Sequence, residues 1–99
     1  MFILISTVQA ISGKEDELEK KLIEFTKTVK SEQGTMVYNL HRIKEKRGRF
    51  FFYEKFKDEN SFDIHNTSNH MQELFGSIES ILADTPDLIF LDEIASIRD

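Results

Sequence analysis

The sequence predicts an α+β fold of the ferredoxin-like type, in which a split βαβ arrangement forms a four-stranded antiparallel sheet. Three observations support this prediction. The predicted elements follow the order strand, helix, strand, strand, helix, strand. Both predicted helices are amphipathic, so each can pack an apolar stripe on the same side of the sheet. None of the predicted strands alternates cleanly between apolar and polar residues, which indicates that both faces of the sheet are covered.

The second face of this sheet needs a cover that the helices cannot provide. A second copy packed face to face would supply it, so the sequence predicts a homodimer that forms a dimeric α+β barrel. We expect residues 1–99 to be a single domain, because a chain of 99 residues leaves no room for a second core.

The first strand and the first helix are predicted from residue types and spacing. The segment Phe2–Ile11 is rich in β-branched and aromatic residues, which favours a strand. Ser12 and Glu15 have the spacing of a capping box, which predicts that Ser12 caps the following helix. An apolar stripe then recurs at helical spacing until the helix ends near Gly34, and its members are Leu18, Leu22, Phe25 and Val29.

A β-hairpin is predicted next. Its first strand runs over 35–43, and Gly48 in the turn is free to take a positive φ. The returning strand begins with four successive aromatic residues. Because strand side chains alternate between faces, one face carries Phe50, Phe52, Glu54 and Phe56, and the other carries Phe51, Tyr53 and Lys55.

The last third of the chain is predicted to contain an interrupted helix and a strand. Asp58 is a suitable N-cap for a short helix that runs through His65. The residues Asn66-Thr67-Ser68-Asn69 favour caps over helix interior, so we expect a break there. A second helical segment continues to Leu82 and stops at Thr85-Pro86. The final strand is predicted over 88–97.

Four side chains form the predicted catalytic site. Glu54 lies in a row of aromatic residues, where loss of solvation would raise its pKa toward neutrality. His65 and His70 would point about 140° apart on one continuous helix, so they converge only if the helix breaks between them. Tyr38, on the neighbouring strand, can donate a phenol hydrogen bond to a bound oxygen. The sequence therefore predicts a site that contains His65, Glu54, His70 and Tyr38.

Other roles for these residues remain open at this stage. His70 can serve as a helix cap or dipole partner, and Glu54 can pair with Lys55 or Arg42 across the hairpin. A metal site is also conceivable, but its ligands lack the compact spacing of known metal motifs, so no metal is predicted. The residues considered as ligands for such a metal site are His41, His65, His70 and Glu54.

Composition and motifs exclude several classes of function. The net charge of −5 argues against nucleic-acid binding, and the absence of cysteine excludes disulfides and thiolate chemistry. The N-terminus lacks a basic start and is too short for a signal peptide or a membrane span, so we expect a cytoplasmic protein without membrane contact. Phosphate-binding loops and nucleotide fingerprints are absent, so no cofactor is predicted and redox chemistry would use the substrate's own electrons.

Over nearly its whole length the chain resembles the antibiotic biosynthesis monooxygenase domain family. The resemblance depends on three pieces in order: Glu32-x-Gly34-x-x-x-Tyr38, Phe52-Tyr53-Glu54-x-Phe56-x-Asp58, and His65-x-x-x-x-His70 with Phe75. It implies a dimeric ferredoxin-like barrel with a pocket between sheet and helices in each subunit. Family members include cofactor-free monooxygenases of phenols or quinols, haem-degrading enzymes, and an isomerase that processes the phosphorylated autoinducer-2 signal.

Two features narrow the implied function. The chain has no tryptophan, a residue on which haem-degrading members rely, so haem degradation is disfavoured. The aromatic run, together with His65 and His70, is similar to the autoinducer-processing isomerase. Our leading hypothesis is a cofactor-independent monooxygenase that oxidises a small quinol or phenol with O₂ after proton abstraction. The alternatives are a proton-transfer isomerase of a small, possibly phosphorylated, hydroxyketone and a non-catalytic dimeric ligand-binding module.

The resemblance and the residues together suggest a role for each member of the site. His65 is the base or a hydrogen-bond partner of the substrate oxygen, and Glu54 orients or deprotonates the substrate. Tyr38 and His70 help to position the substrate.

Overall fold

The computed structural model describes residues 1–98, and it confirms the predicted α+β, ferredoxin-like fold. The four strands form one antiparallel sheet in the order β2-β3-β1-β4. Asp99, the last residue of the predicted domain, lies outside the described residues. The elements are β1 (Phe2–Gln9), α1 (Glu15–Val29), β2 (Thr35–Arg42), β3 (Arg49–Phe56), α2 (Glu59–Asn66), α3 (Asn69–Ile78), a 3₁₀ turn (Glu79–Ile81) and β4 (Asp87–Leu91).

The core lies between the helices and one face of the sheet. Burial alternates along β3, so that Phe50, Phe52, Glu54 and Phe56 are buried and the residues between them are half-buried. Phe50 and Phe52 pack in one cluster with α1, α3 and β1, whose buried members include Leu18, Leu22, Ile78 and Val8. The opposite face of the sheet carries apolar residues as well, including Ile5, Phe51 and Ile89. Within residues 1–98, each helix is too short or too polar to cross a membrane.

The predicted cap of α1 was wrong. The residue at the N-cap position is Lys14, which makes no capping hydrogen bond with its side chain. Gly13 has a φ of +92°, so the chain turns there and places Ser12 outside the helix. Glu15 still receives a backbone N–H, but the donor is Gly13 at 3.0 Å and not Ser12. The intervening glycine therefore changed the cap that the spacing predicted.

The predicted break between the two later helices is confirmed. Asp58 caps α2 by accepting the backbone N–H of Ser61 at 2.8 Å. Ser68 caps α3 in the same way, accepting the N–H of Met71 at 3.2 Å. Each helix has its own N-terminal cap, so α2 and α3 can run in different directions.

The C-terminal part of the sheet differs from the prediction. Helix α3 ends at Ile78 rather than near Leu82, and β4 ends at Leu91 rather than Ile97. Leu91 pairs with Ile3, only one residue after the start of β1, so almost no pairing partner remains beyond it. The charged residues Asp92 and Glu93 follow, and Ile94 is fully exposed.

Candidate active site

A cavity of about 270 Å³ lies between the sheet and the helices. All four strands contribute to its floor, and α1, α2 and α3 contribute to its wall. Most of its lining is apolar, including Phe52, Met71, Leu74 and Ile78. Its ionisable groups come from three elements, and they are Tyr38 of β2, Glu54 of β3 and His65 of α2. Three of the four predicted site residues therefore line one cavity.

Glu54 lies on the cavity floor and is only 4% exposed. It pairs with Leu4 on one side and Tyr38 on the other, and directly paired residues point to the same face of a sheet. The Ser6 hydroxyl donates a hydrogen bond of 2.9 Å to Oε2 of Glu54. Burial raises the pKa of Glu54 to about 7, opposed by the Ser6 hydrogen bond and assisted by the negative charge of Glu32. The group can therefore both accept and release a proton near neutral pH.

His65 is 1% exposed and connects two carboxylates. Its Nδ1 lies 2.8 Å from Oε1 of Glu32, and its Nε2 lies 3.9 Å from Oε1 of Glu54. Burial lowers the pKa of His65 below the usual value for imidazole, although the nearby charge of Glu32 opposes this effect. At neutral pH the ring is therefore uncharged and able to act as a base.

Glu32 is the residue to which sequence reasoning assigned no role. It lies in the loop between α1 and β2, and its side chain is 8% exposed. Burial opposes its ionisation, but hydrogen bonds from Thr35 and His70 and the nearby His65 outweigh burial and lower the pKa of Glu32. The motif Glu32-x-Gly34 was the one sequence feature that could have indicated this role. A glycine lets a loop pack closely against a helix, and a glutamate just before it can then reach that helix.

Gly34 explains how this loop reaches the helices. A Cβ atom at this position would overlap the side chain of Ser61 in α2. The carbonyl of Gly34 also accepts the backbone N–H of Lys57 at 2.8 Å. The loop therefore lies directly against the start of α2, which brings Glu32 within reach of His65.

His70 belongs to the same network but does not line the cavity. Its Nε2 is hydrogen-bonded to Oε2 of Glu32. Its side chain is 29% exposed, and it borders a shallow surface cleft that also contains Glu73. Because Ser68 supplies the cap of α3, capping is not the role of His70. The helix break therefore brings both histidines to one carboxylate rather than to one cavity.

Tyr38 faces the cavity beside Glu54, its direct partner on the neighbouring strand. Its ring centroid lies 5.1 Å from those of His65 and Phe52. Burial, followed by the charges of Glu54 and Glu32, raises the pKa of Tyr38 well above its usual value. The phenol therefore stays protonated at neutral pH and can donate a hydrogen bond to an oxygen in the cavity.

Arg42 and His41 do not contact Glu54. Arg42 binds Glu19 of α1 at 2.7 Å and not Glu54. His41 contacts the carbonyl of Phe51 at 3.1 Å. His41 and Phe51 are directly paired, and both lie on the face of the sheet opposite to Glu54.

The group within residues 1–98 that could hold a metal ion differs from the set considered above. It consists of Glu32, His65 and His70, whose ligand atoms all lie within 4.8 Å of one another. Two imidazoles and a carboxylate are a common ligand set for zinc and for non-haem iron. Hydrogen bonds from the rings of His65 and His70 to the carboxylate of Glu32 account for this proximity.

Comparison with known proteins gives one family and many structures of the same fold. The family model described as antibiotic biosynthesis monooxygenase matches residues 1–76. A protein of Pseudomonas aeruginosa is 23% identical, with a TM-score of 0.88, and the match covers 95% of this chain and 94% of that one. A candidate antibiotic biosynthesis monooxygenase of Nitrosomonas europaea is 15% identical, with a TM-score of 0.89 and coverage of 96% and 100%.

A similarly described protein of Caulobacter crescentus is 22% identical, with a TM-score of 0.87 and coverage of 95% and 90%. Among proteins with curated descriptions, none matches the sequence. At these identities the structural similarity establishes the fold, whereas the family model covers most of the chain.

Proposed function

Because the chain belongs to the antibiotic biosynthesis monooxygenase family, we propose that it is a cofactor-independent monooxygenase of a small quinol or phenol. One observation carries this proposal. Glu54 and His65, a buried carboxyl and a buried imidazole 3.9 Å apart, line the same mostly apolar cavity. A phenol ring suits such a cavity, because its apolar body can pack against aromatic and aliphatic groups while its hydroxyl meets the few polar ones.

The reaction begins with removal of a proton from the substrate hydroxyl. The resulting anion is electron-rich, and it supplies the electrons that reduce O₂. For a hydroquinone the balance is one substrate and one O₂ giving one hydroxyquinone and one water. One oxygen atom enters the ring, the other leaves as water, and the substrate is the only reductant. This balance needs no external reductant, in agreement with the absence of nucleotide-binding motifs from the sequence.

Each of the three cavity residues has its own role in removing the proton from the substrate hydroxyl. The neutral His65 ring accepts the proton, and Glu54 exchanges protons with the substrate oxygens near neutral pH. Tyr38 donates a hydrogen bond to the developing oxyanion, which stabilises it strongly because the surroundings exclude water. The volume of about 270 Å³ is small for a ligand pocket and suits a substrate with a single ring.

The isomerase alternative uses the same acid–base pair but a different substrate. A phosphorylated hydroxyketone requires a cation for its phosphate. Within residues 1–98, neither lysine nor arginine lines the cavity. Two arginines near the turn between β2 and β3 are paired with acids of α1: Arg42 with Glu19, and Arg47 with Asp16. The charge distribution therefore favours an uncharged aromatic substrate.

Oxygen uptake tests the proposal. We expect the purified protein to consume one O₂ per molecule of methylhydroquinone and to form a product that contains one ¹⁸O atom when ¹⁸O₂ is supplied. His65→Gln should lose this activity, whereas Glu59→Gln, at an exposed residue of the same helix outside the cavity, should keep it. Exchange of deuterium from solvent into a hydroxyketone without oxygen uptake would identify an isomerase instead. Ligand binding without either reaction would identify a binding module.

A further inference from the structure

Glu32 accepts hydrogen bonds from three side chains. His65 Nδ1 lies 2.8 Å from its Oε1 and 3.0 Å from its Oε2. Thr35 Oγ1 donates to Oε1, and His70 Nε2 contacts Oε2. An ionised carboxylate can only accept hydrogen bonds, so each ring nitrogen that faces it must carry a proton. The structure thus assigns an N–H group to Nδ1 of His65.

This assignment determines which atom of His65 can act as a base. A neutral imidazole has one N–H, so a proton on Nδ1 leaves a lone pair on Nε2. Nε2 is the nitrogen on the Glu54 side, and its distance of 3.9 Å from Oε1 of Glu54 is too long for a hydrogen bond. The lone pair is therefore not engaged by Glu54 and is available to a substrate oxygen in the cavity.

The charge of Glu32 also matters after proton transfer. His65 is 1% exposed, and an isolated imidazolium at such a position would be strongly disfavoured. The carboxylate in contact with Nδ1 compensates that charge at the moment it forms. It does so without taking the proton, as in other carboxylate–histidine pairs.

Three elements hold Glu32 in place. Thr35 begins β2, His65 lies on α2 and His70 lies on α3. His70 reaches the carboxylate from the partly exposed side, where it borders the surface cleft. It therefore fixes the position of Glu32 without entering the cavity itself.

We propose that Glu32 is a positioning residue that holds His65 as the Nδ1–H tautomer, so that Nε2 receives the substrate's proton, and that His70 anchors Glu32 from outside. This inference rests on the proposed function and adds two parts to it. It names the accepting atom, and it reassigns His70 from positioning the substrate to positioning Glu32.

Nitrogen-15 NMR of the histidine rings tests the tautomer without any substrate. In the wild-type protein at pH 7.5 we expect His65 to show a protonated Nδ1 and an unprotonated Nε2. In Glu32→Gln this preference should weaken, because one uncharged amide oxygen replaces the two carboxylate oxygens that accept from Thr35, His65 and His70. Glu73→Gln is the matched control, because it removes the same charge beside His70 without touching His65, and it should leave the tautomer unchanged. A wild-type Nε2–H tautomer would overturn the proposal, whatever the substrate proves to be.

Turnover of methylhydroquinone provides the second measurement. Glu32→Gln should lower kcat by roughly 10²–10⁴-fold with little change in KM, because the substrate does not contact Glu32. His70→Asn should lower kcat less and keep the tautomer. If Glu32→Gln does not fold, Glu32→Asp can replace it. Aspartate keeps the charge but is one methylene shorter, so its carboxylate lies farther from Nδ1, and both the tautomer preference and kcat should fall.

Two further outcomes would contradict this role. Wild-type kcat in a folded Glu32 variant would show that the tautomer does not limit the reaction. One zinc or iron per chain, lost in Glu32→Gln, would make Glu32 a metal ligand instead. If the wild-type protein oxidises no quinol or phenol, the proposed function fails, while the NMR experiment still decides the role of Glu32.

Discussion

Replacing Glu54 by Gln tests the state of the buried carboxyl most directly. Glutamine keeps the size of the side chain and can still accept the Ser6 hydrogen bond, but it carries no charge. The pKa of Glu54 rises from 4.5 to about 7 on folding. Because one pKa unit corresponds to about 1.4 kcal/mol, ionised Glu54 costs the folded state up to about 3 kcal/mol.

The sign of the pH dependence follows from this shift. Between about pH 4.5 and pH 7 the folded protein holds the Glu54 proton more tightly than the unfolded chain does. The contribution of Glu54 to the free energy of unfolding therefore falls as the pH rises through this range. The lowered pKa of His65 has the opposite effect, because it makes the free energy of unfolding rise with pH just below 6.5, the ordinary pKa of histidine. Wild type and variant both contain His65, so much of this contribution should cancel when they are compared.

Urea unfolding of both proteins at several pH values measures the difference. We expect Glu54→Gln and wild type to be similarly stable at pH 4.5, and the variant to be more stable by up to about 3 kcal/mol at pH 8. Glu93→Gln is the control, because Glu93 is exposed and should alter stability little at either pH. A constant difference between pH 4.5 and pH 8 would refute a raised pKa for Glu54. The same variant should lose turnover by roughly 10²–10⁴-fold, because the amide cannot accept a proton.

Three further predictions concern packing, the base and assembly. Gly34→Ala should destabilise the fold by about 1–3 kcal/mol, because the added Cβ would overlap Ser61. Gly76→Ala should stabilise it by up to about 1 kcal/mol, because Gly76 lies in a helix with open space around it. Thermal unfolding of both variants measures the difference. His65→Gln should keep a hydrogen bond to Glu32 but reduce turnover by roughly 10²–10⁴-fold, and activity within a few-fold of wild type would exclude His65 as the base. The protein should sediment as a homodimer at micromolar concentration, since the uncovered sheet face and β4 expose apolar side chains; a stable, folded monomer there would contradict this.

Local rules were sufficient to predict most of the fold. The order of elements, the Asp58 cap and the break at residues 66–69 are confirmed, because each depends on neighbouring residues alone. The errors have non-local or competing causes. Gly13 turned the chain ahead of α1, and the length of β4 was limited by the start of β1, a distant part of the sequence.

The candidate site was only partly predictable for the same reason. Glu54 could be placed among the aromatic residues from strand alternation, and Tyr38 was expected only on the neighbouring strand, where the structure pairs it directly with Glu54. Glu32 could not be placed, because it lies in a loop whose path is set by contact between Gly34 and α2. The convergence of His65 and His70 was anticipated, but its centre is the carboxylate of Glu32 and not that of Glu54. The family resemblance contained Glu32 as a motif residue without revealing its partners.

The pairing of β1 with β4 has a consequence for the way the chain folds. Ile3 pairs with Leu91, so two strands that are far apart in the sequence are neighbours in the sheet. Among the four strands, β1 is synthesised before the other three and β4 after them. Contacts that span so much sequence form slowly, because closing a long loop costs conformational entropy before the contact can offset it. Ser6 and Leu88 lie in these two strands and both line the cavity, so the cavity is complete only when β1 and β4 have paired. Fusions or truncations that hold β4 away from β1 should therefore abolish the site before they abolish the helices.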